Sequence, residues 1–167
     1  MPKNRFSLEI VNVVATASLD RPVDLAILRK QFPRDVEYDP DVYFAAYFKA
    51  KRMRGKISIF PSGKLISVGT KSEKEAQRDF FLMARSLEYA GIARMKGQPQ
   101  IQNLVAIIDV RTQFNLENMI DNIEGTKILS EPEMFPGAIV YLKLTKNVKA
   151  TFLVFRSGKI VSLGLKN

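Results

Sequence analysis

The chain contains neither cysteine nor histidine. Those absences exclude disulfide staples, thiolate nucleophiles, the common zinc sites and a Ser/His/Asp triad, so chemistry would have to rest on Asp, Glu, Lys or Ser alone. No run of about 18 apolar residues is present to span a bilayer. The opening MPKNRFSLEI also lacks the apolar stretch of a signal peptide. The expectation is a soluble, intracellular protein with no membrane partner.

Positive charge is plentiful. Lys and Arg number 26 against 17 Asp and Glu, a formal net charge of +9, which favours an anionic partner such as nucleic acid. With 46% hydrophobic residues over 167 positions, the chain suits one compact domain or two small similar halves.

The two-halves option is favoured by self-similarity at long period. IVNVVATASL (Ile10 to Leu19) recurs as IQNLVAIIDV (Ile101 to Val110), so Asn12 and Asn103 correspond (103 − 12 = 91). FPSGKLISVGTK (Phe60 to Lys71) recurs as FRSGKIVSLGLK (Phe155 to Lys166), at a spacing of 155 − 60 = 95. The difference places an insertion in the hairpin loops between. Domain boundaries at 1–97 and 98–167 follow.

Each half reads in the same order: a β-rich strand (Ile10 to Ser18, Ile101 to Val110), then a short amphipathic helix (Val23 to Phe32, Leu116 to Ile123). A turn at Asp39-Pro40 or Glu131-Pro132 precedes further strands, which the first half places at Tyr43 to Lys51, Gly55 to Phe60 and Lys64 to Val68. Ser62-Gly63 and Ser157-Gly158 mark tight turns. After Lys71 the first half continues into a longer helix. Ser72 caps it, Glu75 completes a capping box, Ala76, Phe80, Ala84 and Leu87 form its apolar stripe, and Gly91 ends it. Gly91 to Gln100 reads as a short polar link. The second half reaches Asn167 where its own long helix should begin, which implies a second repeat without its last helix. The fold class is α+β, an antiparallel sheet with helices on one face.

Strand alternation assigns the side chains of the other, open face. They are Asn12, Val14, Thr16, Ser58, Phe60, Ile66 and Val68 in the first half, and Asn103, Val105, Ile107, Leu153, Phe155, Val161 and Leu163 in the second. The opposite set, with Val11, Val13, Ile57, Ile59, Phe152 and Val154, is apolar too. A sheet greasy on both sides needs a second covering. An apolar surface bearing two amides and rimmed by cations suits a DNA minor groove, whose floor presents acceptors and whose walls are sugars.

The paired IxNxVA strands, the two SGK turns beside Phe60 and Phe155, GTKSEKEA (Gly69 to Ala76) and EPEMFPG (Glu131 to Gly137) resemble the TATA-box binding protein family across nearly the whole chain. That resemblance implies a saddle: two pseudo-symmetric repeats in a curved antiparallel sheet, with helices on the convex face. It further implies a transcription initiation factor, without catalytic residues, metal or cofactor, that binds and bends A·T-rich double-stranded promoter DNA. In family terms Asn12 and Asn103 donate to the groove floor, and Val14, Val105, Ile66 and Val161 pack on sugars and base edges, with Leu153, Val68 and Leu163 of the open face counted among the DNA-binding residues. Phe60, Phe155 and Phe135 act as wedges. The fourth wedge is Tyr43 by gapless matching, or Phe44 by matching the FAA triplet. Lys64, Lys71, Lys159 and Lys166 would meet phosphates. Glu131 and Glu133 would meet transcription factor B, and through it, indirectly, the RNA polymerase machinery. The location implied is the archaeal cytoplasm, on the nucleoid, or a eukaryotic nucleus. Val68 and Leu163 stand where the family has threonines, and the second-half hairpin, where Tyr141 or a neighbour replaces an expected arginine, is about three residues longer. Two alternatives follow from these departures: a related module for RNA–DNA hybrid or protein recognition, or an interaction protein whose open sheet is covered by a dimer mate or partner chain.

Glu131 and Glu133 near Asp121 do not read as an acid/base pair, because no nucleophile or metal cluster accompanies them. The SGK turns lack the glycine spacing of a P-loop.

Overall fold

A computed structural model of the chain describes residues 6–118, 126–143, 145 and 149–165. Two compact units emerge, Asn12–Gln102 on one hand and Met1–Val11 with Asn103–Asn167 on the other.

The first unit is built on β1 (Ser7–Leu19), α1 (Leu25–Gln31), β2 (Val36–Glu37), β3 (Ala46–Phe48), β4 (Lys56–Ile59), β5 (Lys64–Thr70) and α2 (Glu73–Tyr89). Its strands pair antiparallel in the order β2-β3-β4-β5-β1. Helix α1 starts where the Asp24 carboxylate accepts the Ala26 and Ile27 amides, at 2.9 and 3.1 Å. Leu25 and Leu28 are its buried contacts.

Helix α2 is capped as its sequence indicates, with the Glu75 amide donating to Ser72 Oγ at 3.1 Å. The reciprocal half of the box is displaced by one residue: Glu75 Oε2 accepts from the Lys71 amide at 2.8 Å. Gly91, at φ +68°, and Ile92 close the C-terminus, the Ile92 amide reaching back to the Leu87 carbonyl. Its buried stripe is Ala76, Asp79, Phe80, Met83 and Leu87. Met83 is fully buried where Ala84 was expected, and Asp79 is the polar member. The Asp79 carboxylate accepts the Arg54 amide at 3.1 Å and the Gly55 amide at 2.7 Å, stitching α2 to the loop before β4. Gly55 also lets the chain pass close to β5, where a Cβ would collide with the Val68 carbonyl oxygen.

The second unit holds β7 (Thr126–Ser130), β8 (Gly137–Lys143), β9 (Lys149–Phe155) and β10 (Lys159–Leu165), with the later part of β6 (Met95–Asp109). The antiparallel order is β6-β10-β9-β8-β7. Of the expected helix at Leu116 to Ile123, Leu116–Asn118 forms a single 3-10 turn. The remainder of that segment, with Asp121, lies outside the described residues.

Two segments differ from expectation. The polar link Gly91 to Gln100 is largely strand, since β6 begins at Met95. Its hydrophilic look comes from Lys96, Gln98 and Gln100, which are exposed while Met95 and Pro99 are half-buried, an alternation that belongs to a strand with one wet face. The strand expected over Tyr43 to Lys51 is confined to Ala46–Phe48. Its flanks go instead to an aromatic cluster before it and to the Asp79-bound loop after it.

In the first unit the helix-side face of the sheet is sealed: Val13, Ala15, Ile57, Ile59 and Leu65 are at most 1% exposed. Of their repeat partners, Ala106 and Val154 are buried while Leu104, Phe152 and Ile160 are only half-buried, and among the described residues no α-helix lies in that unit. The second hairpin's extra length is confirmed by register. Ala46 pairs with Ile59 and Ala138 with Val154, so the second copy spends three more residues between equivalent positions (154 − 138 = 16 against 59 − 46 = 13).

Candidate nucleic-acid interface

Register defines the open face of each unit. In the first, Tyr47 pairs with Ser58, Ser58 with Ile66 and Ile66 with Thr16, a row crossing four strands on the face opposite the buried Ile57 and Ser67. The second unit repeats it as Ile139, Leu153, Val161 and Ile107. Every one of these second-unit side chains is half-buried, as are Ile66, Thr16 and Tyr47, while Ser58 is buried at 8% exposure.

Beside each row lies a matched irregularity. Val13 pairs with Thr70 and Ala15 with Ser67, leaving Val14 opposite the two residues Val68 and Gly69. Val105 faces Leu163 and Gly164 in the same way, between the pairs Leu104–Leu165 and Ala106–Ser162. Both are β-bulges, and both glycines take positive φ, +88° and +74°. A bulge leaves an amide without a ladder partner. The asparagines supply one: Gly69 donates to Asn12 Oδ1 at 2.8 Å, and Gly164 to Asn103 Oδ1 at 2.9 Å. That bond takes one lone pair of each Oδ1 and fixes the amide's orientation, and each side chain also carries two Nδ2 hydrogens, the donor an acceptor-lined groove floor requires. The threonines expected beside these glycines are indeed absent, and Val68 and Leu163 sit at the bulges instead.

Phe60 and Phe155 stand at the ends of β4 and β9, where the SGK turns begin. The turn glycines donate back to them, Gly63 to the Phe60 carbonyl at 2.9 Å and Gly158 to the Phe155 carbonyl at 3.0 Å. Phe155 packs edge-on against Phe135, ring centroids 5.6 Å apart. Gly137 makes room for that pair, since a Cβ there would sit 2.9 Å from the Phe135 ring and 2.7 Å from the Val154 carbonyl. In the first unit Phe60 meets Phe44 at 5.4 Å and Tyr43 at 6.4 Å. Backbone bonding makes Tyr43 the counterpart of Phe135, because Tyr43 donates to Asp39 as Phe135 does to Glu131, both at 2.9 Å. Ring geometry makes Phe44 the counterpart. It is 65% exposed, whereas Tyr43 is stacked on Tyr47 at 5.4 Å with an 11° interplanar angle.

Lys64, Lys71 and Lys159 are exposed; Lys166 lies outside the described residues. Glu131 and Glu133 are exposed in the turn before β8. Sequence reasoning missed a groove of about 510 Å³ beside Phe60, lined by Thr16, Ser62, Lys64, Lys96, Gln98 and Gln100 among others. Reading Met95 to Gln100 as a strand would have found its far wall. Also missed was the Lys56 ammonium, 4.0 Å from the centre of the Tyr47 ring. Just past the end of β1, Arg21 and the Arg94 amide hold the Asp20 carboxylate below the usual carboxylate range. No described helix is long and apolar enough to cross a membrane.

The family model described as "Transcription factor TFIID (or TATA-binding protein, TBP)" matches residues 7–90 and 98–167. The chain belongs to the TATA-binding protein family. The TATA-box-binding protein of Sulfurisphaera tokodaii is 34% identical over 161 residues, covering 95% of this chain and 78% of that protein. That of Methanothrix thermoacetophila is 31% identical over 163 residues, covering 96% and 87%. The solved structure of Methanococcus jannaschii TBP superposes with a TM-score of 0.73 at 32% identity, covering 96% of this chain and 89% of that one. The mostly antiparallel sheets and the two α-helices of this TATA-binding protein relative are therefore those of the family's α+β fold.

Proposed function

We propose that this TATA-binding protein family member initiates transcription by binding A·T-rich promoter DNA in the minor groove and bending it. The observation that carries the reading is the duplicated Asn–Gly lock. Two asparagines, each oriented by its bond to a bulge glycine, bring Nδ2 donors into an apolar surface, each in a unit that ends in an aromatic pair. The minor groove of A·T pairs offers only acceptors, so donors match it and extra acceptors would not. The aromatic pairs Phe44–Phe60 and Phe135–Phe155 are the wedges that partially unstack a base step, the family's mode of bending. Flexible TA steps lower the cost of that deformation. Lys64, Lys71, Lys159 and Lys166 contact phosphates, and none of this needs a catalytic group or cofactor. Glu131 and Glu133 form the contact for transcription factor B, which brings in the polymerase.

A fluorescence binding and bending titration compares a TATA duplex, a scrambled duplex and an RNA–DNA hybrid at two salt concentrations. The expected result is tighter binding and bending of the TATA duplex, with affinity falling as salt rises. Equal affinity for all three, without bending, overturns the reading in favour of a general nucleic-acid module.

A further inference from the structure

The two open faces are the same row built twice with opposite chemistry. The first unit's row carries the hydroxyls of Tyr47, Ser58 and Thr16, and its counterparts in the second are Ile139, Leu153 and Ile107. Hydroxyl oxygens accept hydrogen bonds; alkyl groups do not. Thr16 keeps acceptor capacity, because Gln102 Nε2, 2.9 Å away, occupies one lone pair of two. The one donor a base pair can show in the minor groove is the guanine 2-amino group. Buried against an isoleucine–leucine row, that amine loses its hydration without replacement. Against the hydroxyl row it is paired.

We propose that this asymmetry makes the first repeat the half that accepts a minor-groove amine, so that a G·C pair in the site sets the direction in which the protein sits on DNA. The proposal rests on the minor-groove reading above. The base-reading groups responsible are the hydroxyls of the half-buried Thr16 and Tyr47, with the more deeply set Ser58 between them in the row, and they act as specificity determinants beyond the two asparagines. The second repeat then demands A·T pairs throughout its half-site.

The test uses the full chain and exploits its lack of cysteine. A single Lys51→Cys substitution, in the exposed turn after β3, carries an acceptor dye. The probe is a palindromic A·T duplex with a donor dye at one end. 2,6-Diaminopurine replaces adenine in one half only, adding the amine without changing the pairing partner. Energy transfer should report the first repeat over the modified half, by roughly tenfold over the reverse orientation, the scale of one mismatched minor-groove donor. The near-isosteric variant Thr16→Val/Tyr47→Phe/Ser58→Ala should lose the preference, read as the ratio of the two orientations in the bound fraction and so independent of any change in its affinity for the unmodified duplex. Equal occupancy of both orientations by the parent, or a preference that survives in the triple variant, overturns the proposal while leaving minor-groove binding intact. Failure to bind the unmodified duplex at all would instead remove the reading on which it rests.

Discussion

The side-chain oxygen of Asn12 accepts the amide hydrogen of Gly69 across a β-bulge, at 2.8 Å. Its duplicate joins Asn103 to Gly164 at 2.9 Å. Each asparagine is thereby oriented before any ligand arrives. Asn12→Asp keeps the bond to Gly69 but replaces the donor with an anion, so TATA affinity should fall by about 2 kcal/mol or more, measured by anisotropy, with an unchanged circular dichroism spectrum. Undiminished affinity would show that the amide does not face the DNA.

Gly69→Ala tests the bulge itself. A Cβ there meets nothing nearer than the Gly55 Cα at 3.5 Å, so the cost is conformational, from φ +88°. Urea unfolding should register a loss of about 1 kcal/mol. DNA affinity should fall further than that loss of stability accounts for, because the Asn12 amide is freed to turn.

Among the aromatics, Phe155→Ala should abolish bending at its end while weakening nonspecific binding far less. Phe44→Ala should do the same at the other end, and Tyr43→Ala should reduce bending less than Phe44→Ala does, since Tyr43 is held against Tyr47 as a buttress. Bending by energy transfer between DNA ends distinguishes them. Unchanged curvature in Phe155→Ala would remove the wedge role.

Asp79 is fully buried and satisfies two backbone amides. Asp79→Ala leaves both without partners in the interior and should destabilise the protein by about 2–3 kcal/mol in chemical denaturation. The loop before β4 should become sensitive to proteolysis.

At acid pH, Asp20 provides a sign test. The Arg21 side chain first, then the Arg94 amide, lower its carboxyl below the usual value. A depressed carboxylate stabilises the fold above its ordinary titration range, and that contribution is lost as pH falls through the lowered value. Asp20→Asn should therefore be less stable than the parent near neutrality and converge with it in acid, as followed by thermal melts across pH. A gap that widens on acidification would contradict the assignment.

Much of this molecule is readable in its sequence because it is written twice. Repetition aligned Asn12 with Asn103 and Phe60 with Phe155, and strand period two placed all four on open faces. The bulges were not readable: whether two residues oppose one depends on pairing between residues far apart in sequence, as with Val13 and Thr70, 57 positions apart (70 − 13). Asp79 was hidden for a similar reason. A buried carboxylate violates the hydrophobic stripe of α2, and its justification lies in amides 24 and 25 residues upstream. The start of β6 was obscured by glutamines and lysine on a wet strand face, where hydropathy resembles that of a linker.

The unequal backs of the two repeats carry a dynamic consequence. Behind β4 and β5, Ile57, Ile59 and Leu65 are at most 1% exposed, whereas behind β9 and β10 Val154 and Ser162 are buried but Phe152 and Ile160 are only half shielded. Deuterium should therefore enter the second repeat's strands sooner than the first's. On that expectation, the half that presents the all-aliphatic row is the one whose strands open more readily.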